Sequence, residues 1–119
     1  MNVAVIGASN RPEKYSYLAL RFLKEAGHRA FAVHPALRTI EGDKVYASIR
    51  EIPEPVDTVT LYVSPQVSSR LGEEILGTSP RRIIFNPGAE NPELEAKARA
   101  RGITTVRACT LTLLKTDQF

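Results

Sequence analysis

Hydrophobic positions along the chain alternate between two kinds of spacing. Five short runs rich in apolar or β-branched residues are typical of strands that are buried on both faces. They lie at Val3–Ile6, Ala30–Val33, Asp57–Val63, Arg82–Phe85 and Thr104–Arg107. Segments with helical spacing or irregular polar segments separate them, so the pattern predicts strands and helices that follow each other in turn.

The first helix is predicted between the first two strands. One face of it is formed by residues at i, i+3, i+4 and i+7, namely Ala19, Phe22, Leu23 and Ala26, and Gly27 is suited to ending it. The segment from residue 36 to residue 55 is the least regular part of the chain. It predicts a turn at Gly42-Asp43 and a short helix over Ala47–Ile52.

Two later helices each begin with a proline at the first helical position, where its missing N–H is not needed. Pro65 begins one of them, and the apolar face of that helix is formed by Val67, Leu71 and Ile75. Asn91 is a good N-cap for the other, which runs to about Arg101. The tail from Ala108 is rich in Thr and Leu and is expected to close the domain.

Strands that alternate with helices at this spacing form βαβ units and a parallel sheet. The fold class is therefore α/β, a doubly wound, Rossmann-like sheet of five parallel strands with helices on both faces. We expect the strand order 3-2-1-4-5 and one domain over residues 1–119. Ligands of such sheets bind beyond the carboxyl ends of the strands, where the order reverses. The loops after Ile6, Val33, Val63 and Phe85 are thus predicted to line one crevice, between strands one and four.

Composition narrows the classes of function. The 119 residues suffice for one domain but not for a catalytic domain added to a nucleotide-binding domain. The formal net charge of +3 suits an anionic small molecule and does not indicate nucleic-acid binding. The single cysteine, Cys109, can form no internal disulfide. Because the chain opens directly into a predicted strand and has no long apolar run, we expect a cytoplasmic protein without a signal peptide or membrane span.

The first loop, from Gly7 to Pro12, stands where a dinucleotide-binding fold carries the fingerprint G-x-G-x-x-G, of which only the first glycine is present. The N-terminus of the following helix still offers free N–H groups to a phosphate. Neutral hydrogen-bonding groups are added by Ser9, Asn10 and Ser16, and positive charge by Arg11 and Lys14. A plain βα turn explains the same residues, but the position at the crevice favours contact with phosphate.

The second loop argues against NAD. An NAD site usually carries an acidic residue near the end of strand two, to hold the ribose hydroxyls. This sequence has Val33-His34-Pro35 there. Arg38 and Lys44 follow, and they suit a ligand with an additional ribose phosphate, such as NADP or coenzyme A, although each could equally be a solvated surface cation. His34 could stack on a base, bind a phosphate, or be a strand-end histidine with no ligand.

The third and fourth loops give weaker evidence for a bound ligand. Ser64-Pro65 would form a neutral wall against an adenine or a pantetheine arm, and a helix start explains it equally well. The fourth loop contains Asn86-Pro87-Gly88, in which Gly88 would let the backbone approach a ligand closely. Glu90 has no partner carboxylate in this predicted crevice, which is a thin basis for acid–base catalysis.

No metal-binding or catalytic arrangement stands out in the sequence. His28 and His34 have no clustered cysteines or acids beside them, and no P-loop motif occurs. Cys109 follows the fifth strand, and a nucleophilic role would require a lowered thiol pKa, so a buried structural thiol is favoured. We therefore expect no metal and no catalytic residue.

Together these segments resemble the small stand-alone CoA-binding domain proteins, the YccU-like family. The resemblance covers essentially the whole chain and is carried by Gly7-Ala8-Ser9-Asn10-Arg11-Pro12, His34-Pro35, Ile40-x-Gly42-x-Lys44-Val45-Tyr46, Ile52-Pro53-Glu54-Pro55-Val56-Asp57 and Asn86-Pro87-Gly88-Ala89-Glu90-Asn91-Pro92. The layout is also similar to the N-terminal CoA-binding domain of the succinyl-CoA synthetase alpha subunit. The phosphorylated histidine of that subunit belongs to a second domain, so the resemblance does not imply ligase chemistry here.

The resemblance implies that coenzyme A binds to the loops after the first four predicted strands. The residues carried over are Gly7, Ala8, Ser9, Asn10, His34, Pro35, Arg38, Ser64, Pro65, Asn86, Pro87 and Gly88, to which the chemistry of the first loop adds Lys14 and Ser16. The synthetase has a lysine in a glycine-rich segment after strand two, where this chain has Ala36-Leu37-Arg38. Arg38 would supply the corresponding charge.

The predicted function is non-catalytic binding of coenzyme A or an acyl-CoA in the crevice. Two alternatives stay open: an NADP-binding or Cys109-dependent enzyme fragment, and an interaction subunit that needs a partner chain. Neither nucleic acid nor a membrane is expected as a partner. The sequence leaves open weak self-association, a partner subunit and the identity of an acyl group.

Overall fold

Every predicted strand is present, and two short strands are added. A computed structural model describes all 119 residues. The strands are β1 (Asn2–Ile6), β2 (Arg29–Val33), β3 (Thr39–Ile40), β4 (Asp43–Tyr46), β5 (Thr58–Leu61), β6 (Arg82–Phe85) and β7 (Thr104–Arg107). The helices are α1 (Tyr15–Glu25), α2 (Pro65–Gly77), α3 (Pro92–Ala100) and α4 (Thr110–Lys115), and a 3₁₀ turn covers Ile49–Glu51.

The seven strands form one sheet in the order β3-β4-β2-β1-β5-β6-β7. Neighbouring strands are parallel, except that β3 and β4 form an antiparallel hairpin at one edge. The α/β, Rossmann-like fold class is confirmed. The sheet is mixed and seven-stranded, however, and not a purely parallel sheet of five strands.

The predicted strand order 3-2-1-4-5 is wrong. The third predicted strand, β5, pairs with β1 on the side opposite β2, and the fourth, β6, lies beyond it. The position outside β2 belongs to β4, through the pairs Ala32↔Val45 and Val33↔Tyr46. The sequence did not reveal β4 because Asp43 and Lys44 are exposed and only Val45 is buried, so the segment has no apolar run.

Two less regular segments also differ from their predictions. The short helix predicted over Ala47–Ile52 is a single 3₁₀ turn, and the Ser48 hydroxyl caps it by accepting a hydrogen bond from the Arg50 N–H at 3.2 Å. The tail beyond Ala108 forms α4, which packs beside α1. No helix combines the length and the apolar character that crossing a membrane requires.

Local capping explains where α2 and α3 begin. The Ser64 hydroxyl accepts a hydrogen bond from the Val67 N–H at 3.3 Å, and Pro65 occupies the first turn of α2. Asn91 caps α3 in the same way, since its side-chain oxygen accepts from the Leu94 N–H at 3.1 Å. These side chains satisfy N–H groups that a helix start otherwise leaves free.

The helices form one layer on each face of the sheet. Alternate residues of β1 point to opposite faces, so Val3 and Val5 pack in the cluster that includes α1, whereas Ala4 and Ile6 pack in the cluster that includes α2 and α3. Strand β1 is therefore buried on both sides. Its carboxyl end lies between the N-terminus of α1 and the N-terminus of α2, which belong to opposite layers.

Candidate functional site

A cavity of about 1030 Å³ opens at the carboxyl ends of β1, β2 and β5. Its volume is at the upper end of the range for small-molecule sites. Among the residues predicted to form the site, the following line it: Gly7, Ala8, Ser9, Asn10, Lys14, Ser16, His34 and Pro35. The loops after the first two strands therefore meet in one space, as the sequence predicts for a crevice at the carboxyl edge.

Gly7 lets the loop after β1 pass close to the end of β5. Its φ is +86°, and a Cβ added there would lie 2.6 Å from the carbonyl oxygen of Tyr62. The Gly7 and Ala8 N–H groups both donate to the carbonyl oxygen of Val33, at 3.1 and 3.2 Å. The turn is thus held against the ends of β2 and β5, and no other residue type fits at this position without a shift of the backbone.

The N-terminus of α1 differs from those of α2 and α3 because no side chain caps it. The backbone N–H groups of Tyr15, Ser16 and Tyr17 have no acceptor in the chain. Ser16 is only 5% exposed and lines the cavity, and its hydroxyl makes no hydrogen bond within the chain. Free N–H groups, a positive helix-dipole end and an unpartnered hydroxyl at the cavity together suit an anion.

Charged side chains surround this helix start. Lys14, the N-cap residue, and Arg11 both line the cavity. Glu13 also lines it, and its carboxylate lies 3.9 Å from the Arg11 guanidinium at the surface. Lys14 has no such ion pair. Its charge is therefore available to an anion bound at α1.

His34 is held in place at the cavity by its own loop. Its Nδ1 accepts hydrogen bonds from the backbone N–H groups of Ala36 and Leu37, at 3.0 and 3.1 Å. The other ring nitrogen, Nε2, has no partner in the chain and is the ring atom left for a ligand. The same two bonds fold the loop after β2 back on itself and form the cavity wall at Pro35 and Leu37.

Helix α2 supplies a wall that the sequence did not assign to the site. Val67, Arg70, Leu71 and Glu74 line the cavity from one face of this helix, together with Val63. The helical period had placed Val67 and Leu71 on the apolar face of this helix. The signal that could have identified the wall is the presence of Arg70 and Glu74, at i+3 and i+7 from Val67, on that same face.

Three predicted site residues near this cavity do not line it. Arg38 is exposed, and its carbonyl oxygen accepts from the Val45 N–H at 2.9 Å, so it begins the edge hairpin. Ser64 caps α2, and the Pro65 carbonyl oxygen accepts from the Asn91 side chain at 3.1 Å. All three contacts are parts of the fold around the site.

The loop with Asn86, Pro87 and Gly88 also lies outside the cavity lining. Asn86 is 2% exposed, and its Nδ2 donates to the Thr60 hydroxyl at 2.7 Å and the Leu61 carbonyl at 2.8 Å. Its Oδ1 accepts from the Thr110 N–H at 2.9 Å. The reason for this placement is the strand order, because β5 lies between β1 and β6 and moves the fourth loop one strand away.

Two titratable groups lie near this Asn86 network. Burial raises the pKa of Tyr62 to about 12, and its buried hydroxyl has no hydrogen-bond partner in the chain. The neighbouring Thr60 and Thr110 hydroxyls are hydrogen-bonded to each other at 2.8 Å. Partial burial by itself raises the pKa of the Cys109 thiol, but hydrogen bonds from Thr112 and Leu111 and the charge of Lys115 outweigh it and lower the pKa. Cys109 does not line the cavity.

Comparison with known protein families shows which family the chain belongs to. The CoA binding domain model matches residues 1–115, which is nearly the whole chain. The chain belongs to the CoA binding domain family. The predicted resemblance to CoA-binding domain proteins is thereby confirmed.

Relatives of this CoA binding domain include small and large proteins. Over 104 residues it is 27% identical to the uncharacterized protein YneT of Bacillus subtilis. The aligned region covers 87% of this chain and 77% of YneT. Over 131 aligned positions it is 30% identical to the alpha subunit of the ADP-forming acetate–CoA ligase I of Pyrococcus furiosus. This alignment covers 99% of this chain. The match spans only 27% of that ligase subunit.

The CoA binding domain also has solved structural relatives of the same size. The crystal structure of an uncharacterized protein superposes with a TM-score of 0.93 at 38% identity and covers 99% of this chain and 97% of that one. The fold described here is therefore shared with a protein of nearly the same length.

Proposed function

We propose that this domain binds coenzyme A, free or acylated, in the cavity at the carboxyl edge of the sheet. The observation that carries the proposal is the start of α1, where three backbone N–H groups and the hydroxyl of Ser16, a cavity-lining residue, have no partner in the chain. Such a start stabilises a phosphate group, and coenzyme A carries a pyrophosphate that can occupy it.

The remainder of the cavity suits the other parts of the ligand. Lys14 adds a free positive charge beside the helix start. Val63, Val67 and Leu71 form an apolar wall that suits the thin, mostly apolar pantetheine arm. The position of the missing acid after β2 is taken by His34, which disfavours NAD. Membership of the CoA binding domain family supports coenzyme A over NADP.

We further propose that the domain binds its ligand without catalysing a reaction. In the cavity, Glu13 lies beside Arg11, and the Nδ1 atom of His34 is occupied by two backbone N–H groups. The Cys109 thiol, whose lowered pKa would suit a nucleophile, lies outside the cavity lining. Glu74 is a cavity carboxylate without an ion pair, but no nucleophilic side chain is hydrogen-bonded to it. A bound thioester therefore meets no activated nucleophile in the cavity.

Isothermal titration calorimetry tests the assignment. Coenzyme A is titrated into the purified protein, with NADP and NAD as parallel ligands. We expect saturable binding of coenzyme A that is at least tenfold tighter than that of either dinucleotide. Equal or tighter binding of NADP would contradict the assignment and favour the NADP alternative.

The ligase relative favours a second candidate, in which the domain acts as the CoA-binding part of an assembly with another chain. The supporting observation is that its match covers 99% of this chain but only 27% of the ligase subunit. Size-exclusion chromatography of cell lysate distinguishes the two candidates. Elution at the monomer position with no co-purifying protein would count against the assembly.

A further inference from the structure

Tyr15 is an exposed aromatic side chain at the cavity. It is the first residue of α1, it lines the cavity, and it is 65% exposed, which is the largest exposure among the large hydrophobic side chains of the protein. Its ring takes part in no aromatic pair and no cation–π contact. The fold makes no use of this ring, so its exposure calls for another explanation.

The other two ring side chains of the cavity are already engaged. His34 is fixed by the two hydrogen bonds to its Nδ1. Tyr62 packs against the core cluster on the α1 side of the sheet, with its hydroxyl buried. Tyr15 is therefore the cavity aromatic whose flat face is free to meet a ligand.

Tyr15 also lies next to the proposed phosphate site in the sequence and in the helix. Ser16, whose hydroxyl is unpartnered, directly follows it, and Lys14 directly precedes it. In coenzyme A the adenine is attached to the ribose that carries the phosphates, whereas the pantetheine arm extends beyond the pyrophosphate. A ring at the edge of the phosphate site is thus placed for the base and not for the thiol end.

We propose that Tyr15 stacks on the adenine of the bound ligand and so makes the cavity select the nucleotide end of coenzyme A. The inference rests on the proposed function and extends it to one specificity-determining residue. Stacking of a base on an aromatic side chain is sequence-tolerant and strong enough to change affinity by about tenfold when the ring is removed.

Three ligands separate this role from a general effect on the site. They are coenzyme A, adenosine 3′,5′-bisphosphate, which lacks the pantetheine arm, and 4′-phosphopantetheine, which lacks the base. We expect Tyr15→Ala to weaken binding of the first two about tenfold and to leave the third unchanged, while Tyr15→Phe keeps wild-type affinity for all three. Since Tyr15 is exposed, neither variant is expected to change the fold.

A spectroscopic readout reports the stacking directly. The chain has no tryptophan, so Tyr15→Trp introduces a single one. Its emission is expected to be quenched by coenzyme A and by adenosine 3′,5′-bisphosphate but not by 4′-phosphopantetheine. Gln118→Trp, at an exposed position outside the cavity, is the matched control and is expected to show no quenching.

Other outcomes overturn the inference. Unchanged coenzyme A affinity in Tyr15→Ala would exclude stacking, and an equal loss for all three ligands would assign Tyr15 to the anion site in general. If the wild type binds adenosine 3′,5′-bisphosphate but not coenzyme A, the proposed function fails while the Tyr15 variants still decide the stacking. If it binds neither adenine ligand, both proposals fail.

Discussion

At the scale of single residues, Gly7 has a structural role in the fold and also lines the cavity. Its positive φ and its approach to the Tyr62 carbonyl oxygen are two separate reasons for a glycine. The first reason is conformational and applies at any left-handed position, whereas the second is a contact made only here. The two can be separated by comparison with a glycine that has the same conformation but no close neighbour.

Gly102 provides that comparison, because its φ is +78° and nothing lies within 4 Å of an added Cβ. We expect Gly102→Ala to lower the free energy of unfolding by about 1 kcal/mol, and Gly7→Ala by about 2 to 4 kcal/mol, because a clash is added to the strain. Urea denaturation measures both. Equal losses in the two variants would mean that the end of β5 moves away from Gly7 easily.

Lys14 is expected to act on the ligand through its charge. Lys14→Ala is predicted to weaken coenzyme A binding roughly fivefold at low salt, with a smaller difference at high ionic strength. Lys97→Ala is the matched control, since it removes the same charge from α3, outside the cavity lining. Equal effects of the two substitutions in calorimetry would assign the loss to net charge and not to the helix start.

At the scale of secondary-structure elements, Asn86 connects three of them. Its side chain joins the end of β6 to β5 through Thr60 and Leu61, and to the start of α4 through Thr110. Buried amide groups of this kind are costly to remove because their partners lose hydrogen bonds in a space that water does not reach. This structural role explains why an asparagine stands at position 86, a residue that the sequence analysis assigned to ligand binding.

We expect Asn86→Ala to lower the free energy of unfolding by about 2 to 4 kcal/mol and to leave the coenzyme A affinity of the folded fraction within twofold. Pro87→Ala, one residue further and exposed, is expected to change neither quantity. Chemical denaturation and calorimetry on the same samples distinguish the roles. A large loss of coenzyme A affinity with unchanged stability would show that Asn86 contributes to ligand binding after all.

Glu95 connects α3 to the edge strand β7. Its carboxylate, which is 5% exposed, accepts from the Arg107 guanidinium at 2.8 Å and from the Asn91 N–H at 3.0 Å. The Arg107 hydrogen bond is the main cause that lowers the pKa of Glu95 from its ordinary value of 4.5. A carboxyl whose pKa is lowered by folding stabilises the protein above its unfolded pKa, and this contribution is lost as the pH falls through the folded pKa.

Glu95→Gln is therefore predicted to be less stable than the wild type at pH 7. The difference is expected to be constant down to about pH 4.5 and then to shrink as the pH falls further. Urea midpoints measured from pH 3 to pH 7 test this, with the exposed Glu93→Gln as the control. A difference that stays the same at pH 3 would show that packing and not charge accounts for the loss.

At the scale of the whole molecule, the cavity joins two helical layers that the sheet otherwise separates. Helix α1 contributes its uncapped start from one layer, and α2 contributes Val67 and Leu71 from the other. A ligand in the cavity contacts both layers at once. Binding then stabilises the native state as a whole, and at concentrations above the Kd the stabilisation grows with the logarithm of ligand concentration.

Hydrogen exchange can locate this effect. We expect saturating coenzyme A to slow exchange in peptides that cover residues 7–17 and 63–74, and to leave α3 unchanged, because α3 lies outside the cavity. Slower exchange across residues 86–91 together with unchanged exchange at the start of α1 would place the ligand at the fourth loop instead.

The sequence by itself determined the features that depend on near neighbours. The apolar run Val3–Ile6, the glycine after it, the helix start at Pro65 and the cap at Asn91 all depend on a few consecutive residues, and each predicts an element that is present. The alternation of these elements suffices to predict the fold class and a crevice at the carboxyl edge of the sheet. Local propensity and helical or strand periodicity are properties of the chain itself.

Only the tertiary structure decided which strands are neighbours and which side chains share the cavity. Strand β4 pairs with β2 through just two residues, Val45 and Tyr46, and it takes the place expected for β5. That single exchange moves Asn86 away from the cavity, while Tyr15 lines it although no sequence pattern assigns it to the site. Pairing of distant segments depends on the free energy of the whole packed sheet, which no local pattern in the chain records.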